Sequence, residues 1–343
     1  MSELLESPSE PVAALTAPIP VLPPMVLRAS QSPHALGLWG RRLGESDLHL
    51  FPLGLGSGRF GHSLDDAAAA DILDRFVDLD GNFVDATGTA ADARSESLIG
   101  GWLRRTGRRG DVLLGTTIGN HHDLSSAPAQ VITTAVDAAL GRLATDHLDL
   151  LSIRLDSSLR ADEVLVAIDD LARAGKVRYG AADAPGADQL IEARVVAAQS
   201  GMASLVAAQG SYSLLHRDGY EPDVSRVVAL QGCGFMPRHP LAGGLLTGRQ
   251  HSRHDVARLM RRGLVTTLPP RRRAALVSAL GGIGSELGVA ESAVALAWLL
   301  TRPGVTAPIV NISDVTQLES AMSAVRLQLT RQQASDLDRL SAL

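Results

Sequence analysis

Residues 127–154 read APAQVITTAVDAALGRLATDHLDLLSIR, and they hold the fold's repeating unit. The first eighteen place apolar side chains at spacings of three and four, the pattern of a helix with one buried face. The last seven, LDLLSIR, make an apolar run of strand length. A helix that leads directly into a buried strand is one turn of an α/β protein.

The same unit recurs on both sides. Strand-like runs stand at 50–56 (LFPLGLG), 82–86 (NFVDA), 111–117 (DVLLGTT), 177–183 (VRYGAAD), 204–210 (SLVAAQG), 234–240 (GFMPRHP) and 306–312 (TAPIVNI). With LDLLSIR they number eight, separated by amphipathic segments such as LDDAAAADILDRFVDLD. Eight strands alternating with helices predict a parallel sheet closed into a (β/α)8 TIM barrel. An open doubly wound sheet is the alternative, and it calls for a GxGxxG turn running straight into a helix. GLGSGRFG (54–61) is glycine-rich but does not open into one. Ahead of the first run, LGLWGRRLGESDLHL (36–50) alternates around Gly-Glu-Ser and predicts an N-terminal β-hairpin. Residues 1–33 are rich in Pro, Ser and Glu without periodicity and read as a flexible tail, leaving 34–343 as a single barrel.

Composition narrows the function classes. A net charge of −5 argues against nucleic acid or an anionic membrane as partner. Cys233 is the only cysteine, so internal disulfides and cysteine-based zinc sites are excluded, which fits a cytoplasmic location. The N-terminus lacks the pattern of a signal peptide, and no apolar run reaches the roughly 18 residues of a membrane span. Lys176 is the only lysine, so chemistry that needs an amine has one candidate.

In such a barrel reactive groups sit at the C-terminal ends of the strands. Those positions are Asp85, Thr117, Arg154, Asp183, Gln209, Arg238, His239 and Asn311, with His121, His122, Asp123 and Asp156 in adjoining loops. His121, His122 and Asp123 are too weak a pattern to predict a metal site.

At these residues the chain resembles the aldo/keto reductase superfamily. RRLGESDLHLFPLGLGSGRFG is similar to its opening hairpin and first strand, LATDHLDLLSIR to its fourth-strand signature, and LARAGKVRYG to its fifth-strand entry. PLAGGLLTG resembles the loop after strand seven and ALAWLLTRPGVTAPIV the approach to strand eight. The resemblance implies the barrel, NADPH as cofactor and hydride transfer to a carbonyl. It also implies a tetrad of aspartate, tyrosine, lysine and histidine, in which the tyrosine is the general acid. Carried over position by position, the aspartate is Asp85. Ala90, Thr117 and Arg154 stand for the other three. The family's Ser-Asn pair for the nicotinamide amide becomes Asp183 and Ala184, while its glutamine is kept as Gln209. Arg238 stands where an aromatic stacks on the ring. Ser313 and Gln317 are remnant nucleotide positions, with Asp314 where a cation is usual.

These replacements lead to the expectation of a protein that has lost NADPH-dependent reduction and needs no cofactor. It would run a redox-neutral acid–base reaction, a dehydration, isomerisation or cyclisation, on a small biosynthetic molecule. Arg154 or Arg238 would hold an oxyanion while Asp85, Asp183, His122 or His239 moved the proton, and Asp85 is a possible partner for Arg154. Two alternatives stand beside it: a non-catalytic partner subunit, and an oxidoreductase using NADPH or NADH with a rearranged site. The arginine-rich stretches 249–263 and 269–277 read either as a solvated face or as a lid for an acidic substrate.

Overall fold

The computed structural model describes residues 40–86, 93–119, 128–155, 160–221, 223–249, 251–265 and 268–342. The expected tail and the positions Ala90, His121, His122, Asp123 and Asp156 lie outside them.

The hairpin forms from β1 (Arg41–Arg42) and β2 (His49–Leu50), paired antiparallel. Eight parallel strands follow: β3 (Gly54–Gly56), β4 (Phe83–Asp85), β5 (Leu113–Ile118), β6 (Leu148–Arg154), β7 (Val177–Asp183), β8 (Leu205–Ser211), β9 (Gly234–Arg238) and β10 (Ile309–Asn311). Their order is β10-β3-β4-β5-β6-β7-β8-β9, which is a nearly closed (β/α)8 barrel. Between its last and first members the sheet joins only near the floor. There Phe235 N donates to Gly304 O at 2.8 Å, and Thr306 N donates to Phe235 O at 2.8 Å.

Eleven helices are described. The first six are α1 (Asp66–Asp78), α2 (Arg94–Thr106), α3 (Pro128–Leu143), α4 (Ala161–Arg173), α5 (Ala187–Ser200) and α6 (Asp223–Leu230). The rest are α7 (Arg253–Arg261), α8 (Pro270–Leu287), α9 (Glu291–Leu300), α10 (Val315–Ser323) and α11 (Arg331–Ser341). Their starts follow local chemistry. Asp65 caps α1 by accepting from Ala68 N at 2.9 Å, satisfying a backbone donor that the first turn leaves open. α1 then buries Ala69, Ile72, Leu73 and Phe76, the stripe that its spacing predicts. Among the described residues no single helix is long and apolar enough to cross a membrane.

Two apolar layers result. The larger lies between sheet and helices. The smaller fills the barrel with Phe83, Leu150, Ala181, Ala207, Met236 and Ile309, floored by Leu43, Leu48 and Leu50 of the hairpin segment. Burying each such Leu or Phe contributes about 1.5–3 kcal/mol. The hairpin can approach this closely because Gly44 has φ +53° and no side chain; a Cβ there would lie 2.1 Å from Val206 O. Side chains alternate across a strand, so the row containing Leu150 continues to Ser152 and Arg154, and that of Ala181 to Asp183. Likewise Ala207 leads to Gln209 and Met236 to Arg238. Each inward row begins apolar at the floor and ends polar at the rim.

Candidate active site

The rim is organised around Asp183, a carboxylate only 1 % exposed. Arg238 Nη1 donates to its Oδ1 at 2.9 Å. Arg154 Nη1 lies 3.5 Å from Oδ2, an ion pair without a hydrogen bond. Strand register explains the grouping: Arg154 pairs with Asp183 across β6 and β7, and Asp183 with Gln209 across β7 and β8. Asp85 ends β4, two strands from β6, so the expected Asp85 partnership of Arg154 gives way to Asp183. Burial works against the charge on Arg238. Asp85 and Asp183 more than offset it, and the guanidinium pKa is raised. Arg154 differs, with 45 % of its side chain exposed.

Gln209 is 1 % exposed, and its Nε2 donates to Ser152 Oγ at 2.7 Å. That bond fixes the amide and leaves Oε1 buried with no hydrogen-bond partner. Asp183 Oδ2, Thr117 Oγ1 and Ser57 Oγ are in the same state. Leaving a buried acceptor unsatisfied costs about 1–3 kcal/mol, so such atoms ask what group supplies the donor. Asp183 Oδ2 and Gln209 Oε1 stand on register-paired residues, and a carboxamide –NH2 carries two donors. The rim therefore fits the amide end of a nicotinamide.

His239 follows β9 with its Nδ1 3.2 Å from Ser211 Oγ. Burial, then the charges of Arg238 and Arg262, push its pKa down to about 4, so near neutral pH it is the neutral imidazole, a weak acid. This removes His239 as the general acid of the expected reaction. Its backbone is left-handed at φ +53°, as is that of Ala184 at φ +48°. For residues bearing a Cβ this conformation costs roughly 1–2 kcal/mol, and such strain gathers at functional rims. The three tyrosines of the chain are committed elsewhere. Tyr212 donates to Glu221, Tyr220 donates to the Pro303 carbonyl at 2.9 Å, and Tyr179 accepts from Asp47 N at the floor. Lys176, just ahead of β7, pairs with Asp137 at 2.6 Å. Among the described residues no phenol or amine stands at the rim.

At the start of α10, Asp314 accepts from Gln317 N at 2.8 Å and Gln317 Oε1 accepts from Ser313 N at 2.7 Å. The negative charge of Asp314 is thus fixed beside Ser313. A separate cavity of about 740 Å³ opens between Gly61–Asp66 and the first turn of α2 (Arg94, Ser97, Leu98), and the strand-end residues do not line it. Sequence reasoning passed over Ser152 as the residue that orients Gln209. The signal available was its place in the inward row between Leu150 and Arg154.

Comparison with known proteins matches residues 52–342 to the family described as the aldo/keto reductase family. The chain is 31 % identical over 304 residues to the uncharacterized oxidoreductase YrpG of Bacillus subtilis, covering 84 % of this chain and 92 % of that protein. It is 26 % identical over 330 residues to norsolorinic acid reductase stcV of Emericella nidulans, covering 90 % and 83 %. It is also 28 % identical over 301 residues to a protein of Arabidopsis thaliana named as a probable voltage-gated potassium channel subunit beta, covering 83 % and 90 %. The chain belongs to the aldo/keto reductase family.

Two expectations are corrected by these relatives. The first two are named as an oxidoreductase and a reductase, which with the family match overturns the cofactor-independent acid–base reaction and, with it, the expectation that no cofactor is used. The physical error was to equate the loss of a general acid with the loss of the reaction. A missing acid slows proton transfer by roughly 10²–10⁴-fold. Hydride chemistry resides in the cofactor and does not depend on that side chain.

Proposed function

We propose that the protein is an oxidoreductase that binds a nicotinamide dinucleotide and reduces a carbonyl at the rim of its barrel. The observation that carries this reading is Gln209 Oε1, buried with no hydrogen-bond partner, on a residue register-paired with Asp183, whose Oδ2 has only the 3.5 Å ion pair with Arg154. When bound, the dinucleotide supplies the hydride. Gln209, held by Ser152, and Asp183 receive the carboxamide. Arg238 keeps the Asp183 carboxylate in place. Arg154, half exposed at the rim, faces the carbonyl oxygen, where negative charge develops. An arginine does not release its proton near neutrality and His239 is neutral there, so among the described residues no side chain supplies the proton and the alkoxide takes it from solvent beside Arg154. Turnover is accordingly slow. By family correspondence Ser313 and Asp314 face the 2′-phosphate of NADPH. The fixed Asp314 carboxylate opposes that charge, making NADH the better-held form.

Calorimetric titration of the purified protein with NADH and NADPH tests the proposal. The expected result is NADH binding at micromolar strength, weakened about tenfold by Gln209→Leu. Absence of binding by either dinucleotide up to about 1 mM overturns it.

A further inference from the structure

Among the described residues, Arg154 and Arg238 stand at the strand ends with Asp85 and Asp183, and Arg262 acts on His239 nearby. The three arginines are not equivalent. Arg238 is committed to Asp183 through a 2.9 Å hydrogen bond and is 24 % exposed. Arg262 follows α7 and acts on His239 from outside the ring. Of the three, Arg154 alone combines a strand-end position with a half-exposed side chain, and its one ion pair among the described residues, at 3.5 Å, is not a hydrogen bond. A guanidinium carries five N–H donors in a planar fork that matches two oxygens lying side by side.

Resting on the oxidoreductase reading above, we infer that the substrate is a 2-oxo acid whose keto and carboxylate oxygens are gripped together by the free fork of Arg154. Simple aldehydes and ketones fill only one arm of that fork. A carboxylate next to the carbonyl fills two. A carboxylate further along the chain would need a second cation at the rim, and Arg238 is already taken. The same contact serves both binding and reaction, because the N–H facing the keto oxygen meets the charge that grows there. Charge-assisted hydrogen bonds are about twice as strong as neutral ones, so the acid form of a substrate gains over its ester by roughly ten- to a hundredfold in affinity.

The test compares phenylglyoxylate with its methyl ester, which presents the same ketone without the charge. Binding of each is measured by calorimetry to the wild-type protein, Arg154→Gln and Arg154→Lys, with and without NADH. The acid is expected to bind roughly ten- to a hundredfold tighter than the ester in the wild type. Arg154→Gln should erase that difference, and Arg154→Lys, a point charge without a fork, should restore part of it. Ester binding equal to acid binding in the wild type overturns the inference, as does a preference that survives Arg154→Gln. So does silence of both compounds up to about 10 mM in a protein that does bind NADH. If the acid outbinds the ester through Arg154 but no dinucleotide binds, the carboxylate site stands and the oxidoreductase reading falls.

Discussion

Replacing Asp183 by Asn keeps the volume at the centre of the rim and removes its charge. The stability effect follows from what the two arginines then lack. Arg238 is mostly buried and hydrogen-bonded to Asp183 at 2.9 Å, whereas Arg154 is half exposed and 3.5 Å away. Two unit charges about 4 Å apart attract by about 4 kcal/mol at an effective dielectric of 20. Removing one member of a buried pair typically costs about 3–5 kcal/mol. Asp85 still acts on Arg238, which places the loss near the low end, about 3 kcal/mol. The Arg154 contact, screened by water, adds less than about 1 kcal/mol. At about 2–4 °C per kcal/mol for a chain of this size, the melting temperature should fall by roughly 6–12 °C. Urea unfolding and calorimetry measure this directly. In the double variant Asp183→Leu/Arg238→Met part of the loss should return, since the buried guanidinium leaves with its partner while Asp85 loses the attraction of Arg238. A wild-type-like Asp183→Asn, or an Arg154→Gln that costs as much as Asp183→Asn, would refute the view of Asp183 as the counter-charge of a buried arginine.

The depressed pKa of His239 has a signed consequence. With a folded value of about 4 and an unfolded value near 6.5, the unfolded chain binds the extra proton between those limits. Stability is therefore complete above about pH 6.5 and declines by about 3 kcal/mol as pH falls to 4. His239→Asn, which tolerates the left-handed backbone, should flatten that part of the curve. Unfolding at several pH values decides, and an unchanged slope sinks the idea. Two glycines make an opposed pair. Gly100 of α2 would bring a Cβ within 2.2 Å of Arg142 O in α3, so Gly100→Ala should cost several kcal/mol or perturb the helix pair. Gly282 of α8 has open space around its Cβ position, and Gly282→Ala should add about 0.5–1 kcal/mol. Thermal unfolding of both variants reads the sign of each change.

The fold was legible because it repeats. Helix-length stripes feeding strand-length runs recur often enough that single ambiguous segments do not matter, and β6 runs over the same residues, Leu148–Arg154, that the pattern marked. Rim positions were legible too, as the last inward residue of each strand. Pairing was not. Which acid meets Arg154 depends on strand order and register, and these set Asp183 on the neighbouring strand and Asp85 two strands away. The state of His239 was hidden for a related reason: its burial and the nearness of Arg262 arise from residues distant in the chain. The reaction was misread at a third level. A tyrosine replaced by Ala90 speaks to proton supply, and the chain carries no letter for the hydride.

The join at Phe235 gives the barrel a slit. Both backbone hydrogen bonds that cross it lie at that one residue near the floor, while Arg238 and Asn311 stand on opposite lips above. Each lip is tied to its own side. Arg238 is anchored to β7 through Asp183, and Asn311 Oδ1 accepts from Gly58 N at 2.9 Å just beyond β3. The rim is thus an open collar and not a welded ring. The two lips therefore depend on different contacts, β7 through Asp183 on one side and the segment after β3 on the other.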